Sequence, residues 1–153
     1  MKLAGFNFTK ISVEKLKNQT EGVKINTNID ISEIGEVKSD MFKLREQMIA
    51  ISFTNTISYD PEFAKVELAG TMIIGVESKL ARDILKEWKD KKIPEEFRLD
   101  LFNIIIRKCS VKALELEEDL NLPLHIQMPK VQQQTSSEAP SESIPAKTPE
   151  AKE

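Results

Sequence analysis

One cysteine, one histidine, one tryptophan, one tyrosine and five glycines are all that 153 residues hold of those types, and each scarcity closes a route. A lone thiol, Cys109, builds no disulfide framework and suits a reducing compartment, where its ordinary use is as a small buried hydrophobe. The one histidine, His125, lies between Pro123 and Pro129, and the one cysteine lies in an apolar helix, so no Cys–His nucleophile pair is expected. Metal binding would need more ligands than these, and Glu115, Glu117, Glu118 and Asp119, clustered near a helix end, read as a solvated face. No two glycines fall closer than Gly70 and Gly75, and no lysine–hydroxyl pair follows them, so a phosphate-binding loop is excluded.

Charge of one sign is also lacking. Lys and Arg number 22 against 25 Asp and Glu, a net charge of −3, too weak a field to gather a polyanion. The phenylalanines are not interleaved with Arg or Lys as a nucleic-acid stacking platform requires. No apolar run approaches the roughly 20 residues of a membrane span, and Lys2 followed by Leu-Ala-Gly-Phe-Asn-Phe turns polar too early for a secretory signal. A cytoplasmic protein without cofactor, nucleic acid or membrane insertion is the expectation.

What is present divides at about residue 131. From Gln132 to Glu153 the only large apolar residue is Ile144, and four glutamates face two lysines, the composition of a disordered tail. Residues 1–131 read as one domain.

Its first half alternates. Val23 to Ile31 places Val23, Ile25, Ile29 and Ile31 on one side of a strand; Met48 to Tyr59 does the same with Ile49, Ile51, Phe53, Ile57 and Tyr59. Asp60-Pro61-Glu62 turns the chain, and Phe63 to Val76 returns with its even members apolar, losing alternation near Ile73 as a bulge or doubly covered segment would. Phe6 to Val13 reads as an edge strand whose spacing shifts after Phe8. Ser32 to Glu46, with Gly35, reads as a crossover loop.

The second half is helical. Ser78 suits an N-cap for a helix carrying Leu80, Ile84, Leu85 and Trp88, which stops at Lys91-Lys92-Ile93-Pro94. Pro94 suits the first position of a longer helix running to about Asp119, with Glu95 and Glu96 complementing its dipole. On this helix Phe97, Leu99, Leu101, Phe102, Ile104, Ile105, Ile106, Cys109, Ala113 and Leu116 sweep roughly 220°, where one packed face needs about 100°. The surplus implies a partner. The fold class is α+β: an antiparallel four-stranded sheet with a long central hairpin, followed by one short and one long helix.

The Gly-containing run Ala69-Gly70-Thr71-Met72-Ile73-Ile74-Gly75, the long-helix stretch Leu101 to Cys109 and the exit Leu120-Asn121-Leu122-Pro123-Leu124 together resemble the SecB family of cytosolic chaperones, over about residues 6–131. The resemblance implies no catalysis. It implies a homo-tetramer, a dimer of dimers joined through sheet edges and long helices, that holds unfolded client proteins in hydrophobic grooves without ATP. Transferred to matching positions, the client groove comprises Phe6, Phe8, Met72, Ile74, Leu101, Ile104, Ile105, Leu122, Leu124 and Ile126. Export, protection of labile antitoxins and general holding all stay open, as does the translocase motor SecA as a partner. The alternative is a non-catalytic adaptor with one fixed protein partner.

Overall fold

The computed structural model describes residues 1–18, 21–38 and 46–132; the expected tail lies outside them apart from Gln132. Four strands, β1 (Lys2–Lys15), β2 (Lys24–Val37), β3 (Glu46–Asp60) and β4 (Ala64–Glu77), precede two helices, α1 (Ser78–Trp88) and α2 (Glu95–Asp119). The sheet is antiparallel with the order β1-β4-β3-β2, so β3 and β4 are central and β1 and β2 are open edges. The α+β expectation holds.

Alternation builds the core. Ile49, Ile51, Phe53, Asn55, Ile57 and Tyr59 of β3 sit opposite Ile74, Met72, Gly70, Leu68, Val66 and Ala64 of β4, all buried beneath the helices. The opposite face of β3 shows Ser52, Thr54, Thr56 and Ser58, half-buried small polar groups, as a sheet packed on one side demands. On that face Glu67 of β4 pairs with Lys10 and Lys65. These partners, Lys10 foremost, hold its carboxyl below the usual range.

Two readings of the strands need correction. The segment Ser32 to Val37 belongs to β2, not to a crossover loop; a register shift between Ile31 and Glu33 resets the alternation, which hides the strand from a period-two reading. The remaining expected loop residues, 39–45, lie outside the described ones. The irregularity sensed near Ile73 is not in β4, whose pairing with β3 runs unbroken, but in β1 across from it, between Leu3 and Gly5. A second shift in β1, between Phe8 and Lys10, matches the changed spacing after Phe8.

Both helix starts also differ by one residue. Strand β4 runs straight into α1, so Glu77 is the N-cap and Ser78 the first helical residue; Pro94 is the N-cap of α2 rather than its first residue. Helix α1 packs on β2, β3 and β4, and α2 crosses β3 and β4.

The buried residues of α2 are Phe97, Leu101, Ile105, Cys109, Ala113 and Glu117, spaced strictly by four. At 3.6 residues per turn each step of four advances the buried line by about 40°, so five steps wind it about 200° around the helix. Much of the over-wide arc is therefore one stripe winding as the helix crosses the sheet. The true surplus is smaller: Leu99, Ile106 and Val111 are 59%, 46% and 71% exposed, and Phe102 and Ile104 are half-buried.

Cys109 is fully buried on that stripe. Burial pushes its thiol up to about 11, against a smaller opposing pull from a hydrogen bond with Asn55. The thiolate is the reacting form, so iodoacetamide at pH 8 should label Cys109 only as fast as the protein unfolds. Rapid labelling under native conditions would contradict this burial.

Candidate functional site

The site is built around the exit of α2. Asn121 adopts a left-handed conformation, φ 51°, tolerable for asparagine. Its N–H donates to the Glu118 carbonyl and the Leu122 N–H to the Glu117 carbonyl, the paired bonds of a Schellman turn. The chain reverses there, and His125 comes back over the last turns of α2.

Glu117 receives it. This carboxylate is completely buried, at the end of the four-spaced stripe, and the expectation of a solvated acidic face fails for this one residue while Glu115, Glu118 and Asp119 are exposed. The imidazole Nδ1 of His125 lies 2.7 Å from Glu117 Oε1, and the His125 backbone N–H donates to Oε2 at 3.3 Å. The other ring nitrogen, Nε2, lies 3.3 Å from Ser110 Oγ, one helical stretch earlier. From the sheet, the Tyr59 hydroxyl donates to the Pro123 carbonyl at 2.7 Å. Burial, and then the nearby Glu117 carboxylate, push the phenol well above its ordinary range, so Tyr59 remains a donor at any physiological pH. Lys15 of β1 adds a 3.4 Å contact from Nζ to the Leu120 carbonyl.

Ser110, His125 and Glu117 share the connectivity of an acyl-transfer relay. The chemistry does not follow from connectivity alone. Ser110 sits inside a continuous helix, where the neighbouring backbone N–H groups are spent on helical bonds, so those groups provide no oxyanion hole. What the arrangement does supply is attachment. Among the described residues no group of three or more His, Cys, Asp or Glu could hold a metal ion, and no helix is long and apolar enough to cross a membrane.

The expected groove residues separate into four places. Met72, Ile74, Leu101 and Ile105 are wholly buried between sheet and helices, and Leu122 is buried as well; their surface is already used. Phe6 and Phe8 are half-buried on β1, their rings edge-to-face at 5.2 Å, with Phe6 also 5.2 Å from Phe53. Ile104 joins Leu3, Asn103, Arg107 and Lys108 around a recess of about 380 Å³. Leu124 and Ile126, with Gln127, Met128, Lys130 and Gln132, line an open groove of about 510 Å³.

Leu122, expected in the groove with Leu124 and Ile126, lies on a helix-exit loop of the kind that ordinarily stays on the surface. The Schellman turn overrides that by folding Leu122 back onto the core. Glu117 and His125 were missed. The available signal was the four-residue spacing itself, which, continued from Ala113, lands on Glu117 and calls for a buried partner.

No protein-family model matches the chain, and no curated protein matches it. Among solved structures, the chain is similar to a Mycobacterium tuberculosis SecB-like chaperone in complex with a ChAD peptide from an antitoxin, with a TM-score of 0.46 and 9% identity over 86% of this chain and 91% of that one. At 9% identity no residue role passes from that protein to this chain.

Proposed function

We propose that this protein is an ATP-independent holdase that binds non-native polypeptides. The observation behind the reading is the open groove of Leu124, Ile126 and Met128 beyond α2, on a segment that the fold pins at Pro123 and His125 yet leaves uncovered. Its lining combines apolar groups with the long, adaptable side chains Met128, Gln127, Lys130 and Gln132, the kind of surface that accepts many sequences rather than one. The open edges of β1 and β2 offer backbone groups to an extended chain, a second element of sequence-independent binding. Holding of this sort needs no nucleophile, nucleotide or metal.

Exposed Leu99, Ile106 and Val111 on α2 fit a second role, self-association into a homo-oligomer, for which a tetramer is our reading. Sedimentation tests that part: a clean monomer at tens of micromolar would end it.

The central test is suppression of aggregation. Several unrelated unfolded proteins should stay in solution at stoichiometric ratios without nucleotide. Replacing Leu124, Ile126 and Met128 together by Ser should lower client affinity by about tenfold or more, since burial of each large apolar side chain is worth about 1.5–3 kcal/mol at full coverage, while thermal stability changes little. Protection confined to one folded partner would favour a fixed-partner adaptor. Unchanged client affinity in the triple variant would remove this groove from the site.

A further inference from the structure

The buried carboxylate of Glu117 is the polar feature that holding as such leaves unexplained. Placing a carboxylate out of water is costly unless every lone pair is met, and an apolar residue there would continue the stripe Phe97, Leu101, Ile105, Cys109, Ala113. The partners show what the acid does instead. Both oxygens meet His125, one at its ring and one at its backbone N–H, and the Tyr59 hydroxyl also hydrogen-bonds the carboxylate; the ring continues to Ser110. Two residues before His125, Tyr59 holds the Pro123 carbonyl, and the residues on either side of His125, Leu124 and Ile126, line the open groove.

We propose that Glu117 is the positioning residue of the client groove: it anchors the returning segment 122–128 to α2 through His125, and so fixes Leu124, Ile126 and Met128 as a preformed apolar wall. The functional half of this proposal rests on the holdase reading; the structural half does not. A preformed wall binds more tightly because a client need not order it. The Ser110 hydroxyl can donate to Nε2 or accept from it, so it meets the ring in either tautomer. The other polar groups turned toward the cluster are Tyr59 from β3 and Lys15 from β1, the latter reaching only the Leu120 carbonyl.

The experiment compares the full-length protein with Glu117→Ala, Glu117→Gln, Glu117→Met and Tyr59→Phe. Amide hydrogen exchange of 121–132 is followed alongside binding of reduced, carboxymethylated α-lactalbumin, a chain that stays unfolded. Glu117→Ala should accelerate exchange in 121–132 by about ten- to a hundredfold relative to the sheet and weaken client binding by about tenfold. Glu117→Gln should restore both. Its amide oxygen can accept the His125 backbone N–H while its NH₂ donates to Nδ1, with the imidazole proton moved to Nε2. Because Gln matches Glu in volume as well as in hydrogen bonding, Glu117→Met, which fills the space without those bonds, separates the two: it should behave like Ala if the hydrogen bonds anchor the segment, and restoration by Met would overturn the anchor. Should Glu117→Ala fail to fold, Tyr59→Phe leaves the His125 bonds in place, removes the phenol's bonds to the Pro123 carbonyl and toward Glu117, and should open the same segment to a smaller degree.

Unchanged exchange in 121–132 in every variant overturns the anchor. Faster exchange with unchanged client affinity overturns the positioning role. If the unaltered protein binds no unfolded chain at all, the holdase reading fails, and the exchange rates still decide whether Glu117 anchors the segment.

Discussion

Gly70→Ala should destabilise the protein by about 3 kcal/mol, the upper part of the range for forcing atoms into a filled core and a large share of the roughly 5–15 kcal/mol that a domain has in total. Gly70 faces the core at the centre of the sheet, opposite Phe8 on one side and Phe53 on the other. A Cβ there would run into the backbone carbonyl of Asn7 and come within 2.9 Å of Phe53 Cζ. Neither neighbour can yield cheaply: the carbonyl belongs to the β1–β4 pairing region, and Phe53 is held in ring contact with Phe6. Gly35 supplies the control. It also lies within a strand, yet an added Cβ meets nothing within 4 Å, so Gly35→Ala should be neutral or stabilising by about 0.5 kcal/mol. Urea denaturation midpoints measure both, and equal effects at the two sites would show that Gly70 is not sterically required.

The second large effect concerns α2. Leu101→Ala and Ile105→Ala should each cost about 3 kcal/mol, the transfer loss plus the cavity left in a close-packed interior, because both side chains are completely buried against the sheet. Leu99→Ala and Ile106→Ala should change the stability of a monomer by no more than about 0.5 kcal/mol. Equilibrium unfolding at low protein concentration separates the pairs. A uniform cost across all four would contradict the winding stripe.

Those four residues show how far the sequence could be read. Their apolar character was plain, but a helical wheel collapses the helix onto one circle, and a buried line that rotates about 40° every four residues becomes a broad arc. Ile104, Ile105 and Ile106 then look alike, although the structure makes them half-buried, buried and exposed. Strands β3 and β4 were legible nearly to their ends because their alternation holds over most of their length and their pairing has no register shift, even though the β4 sequence loses its period near Ile73. In β2 the shift at Ile31 and Glu33 breaks the period, and the second part of the strand looked like a loop.

At the candidate site, Ile126 is exposed and Leu124 half-buried, and both line the groove beyond the helix exit. The core positions Met72, Ile74, Leu101 and Ile105 were indistinguishable from groove positions by composition, since both need large apolar groups. Glu117 and His125 escaped for a different reason: the four-residue spacing reaches Glu117, but its partner His125 comes from beyond the chain reversal at Asn121, and pairing across such a turn has no periodic signature.

The strand order β1-β4-β3-β2 has a consequence in time. Among the described strands β1 is made before the others, and β4, its neighbour in the sheet, after them. The β2–β3 and β3–β4 pairings join consecutive strands, whereas β1 must wait from Lys15 until Glu77 has been added. At roughly 5–20 residues per second that interval is on the order of several seconds. Throughout it, Leu3, Phe6, Phe8 and Val13 have no partner surface, and the closing of the sheet spans the longest loop in the fold, the kind of non-local contact that slows folding. The nascent chain therefore spends those seconds as an unfolded polypeptide with exposed apolar groups of its own.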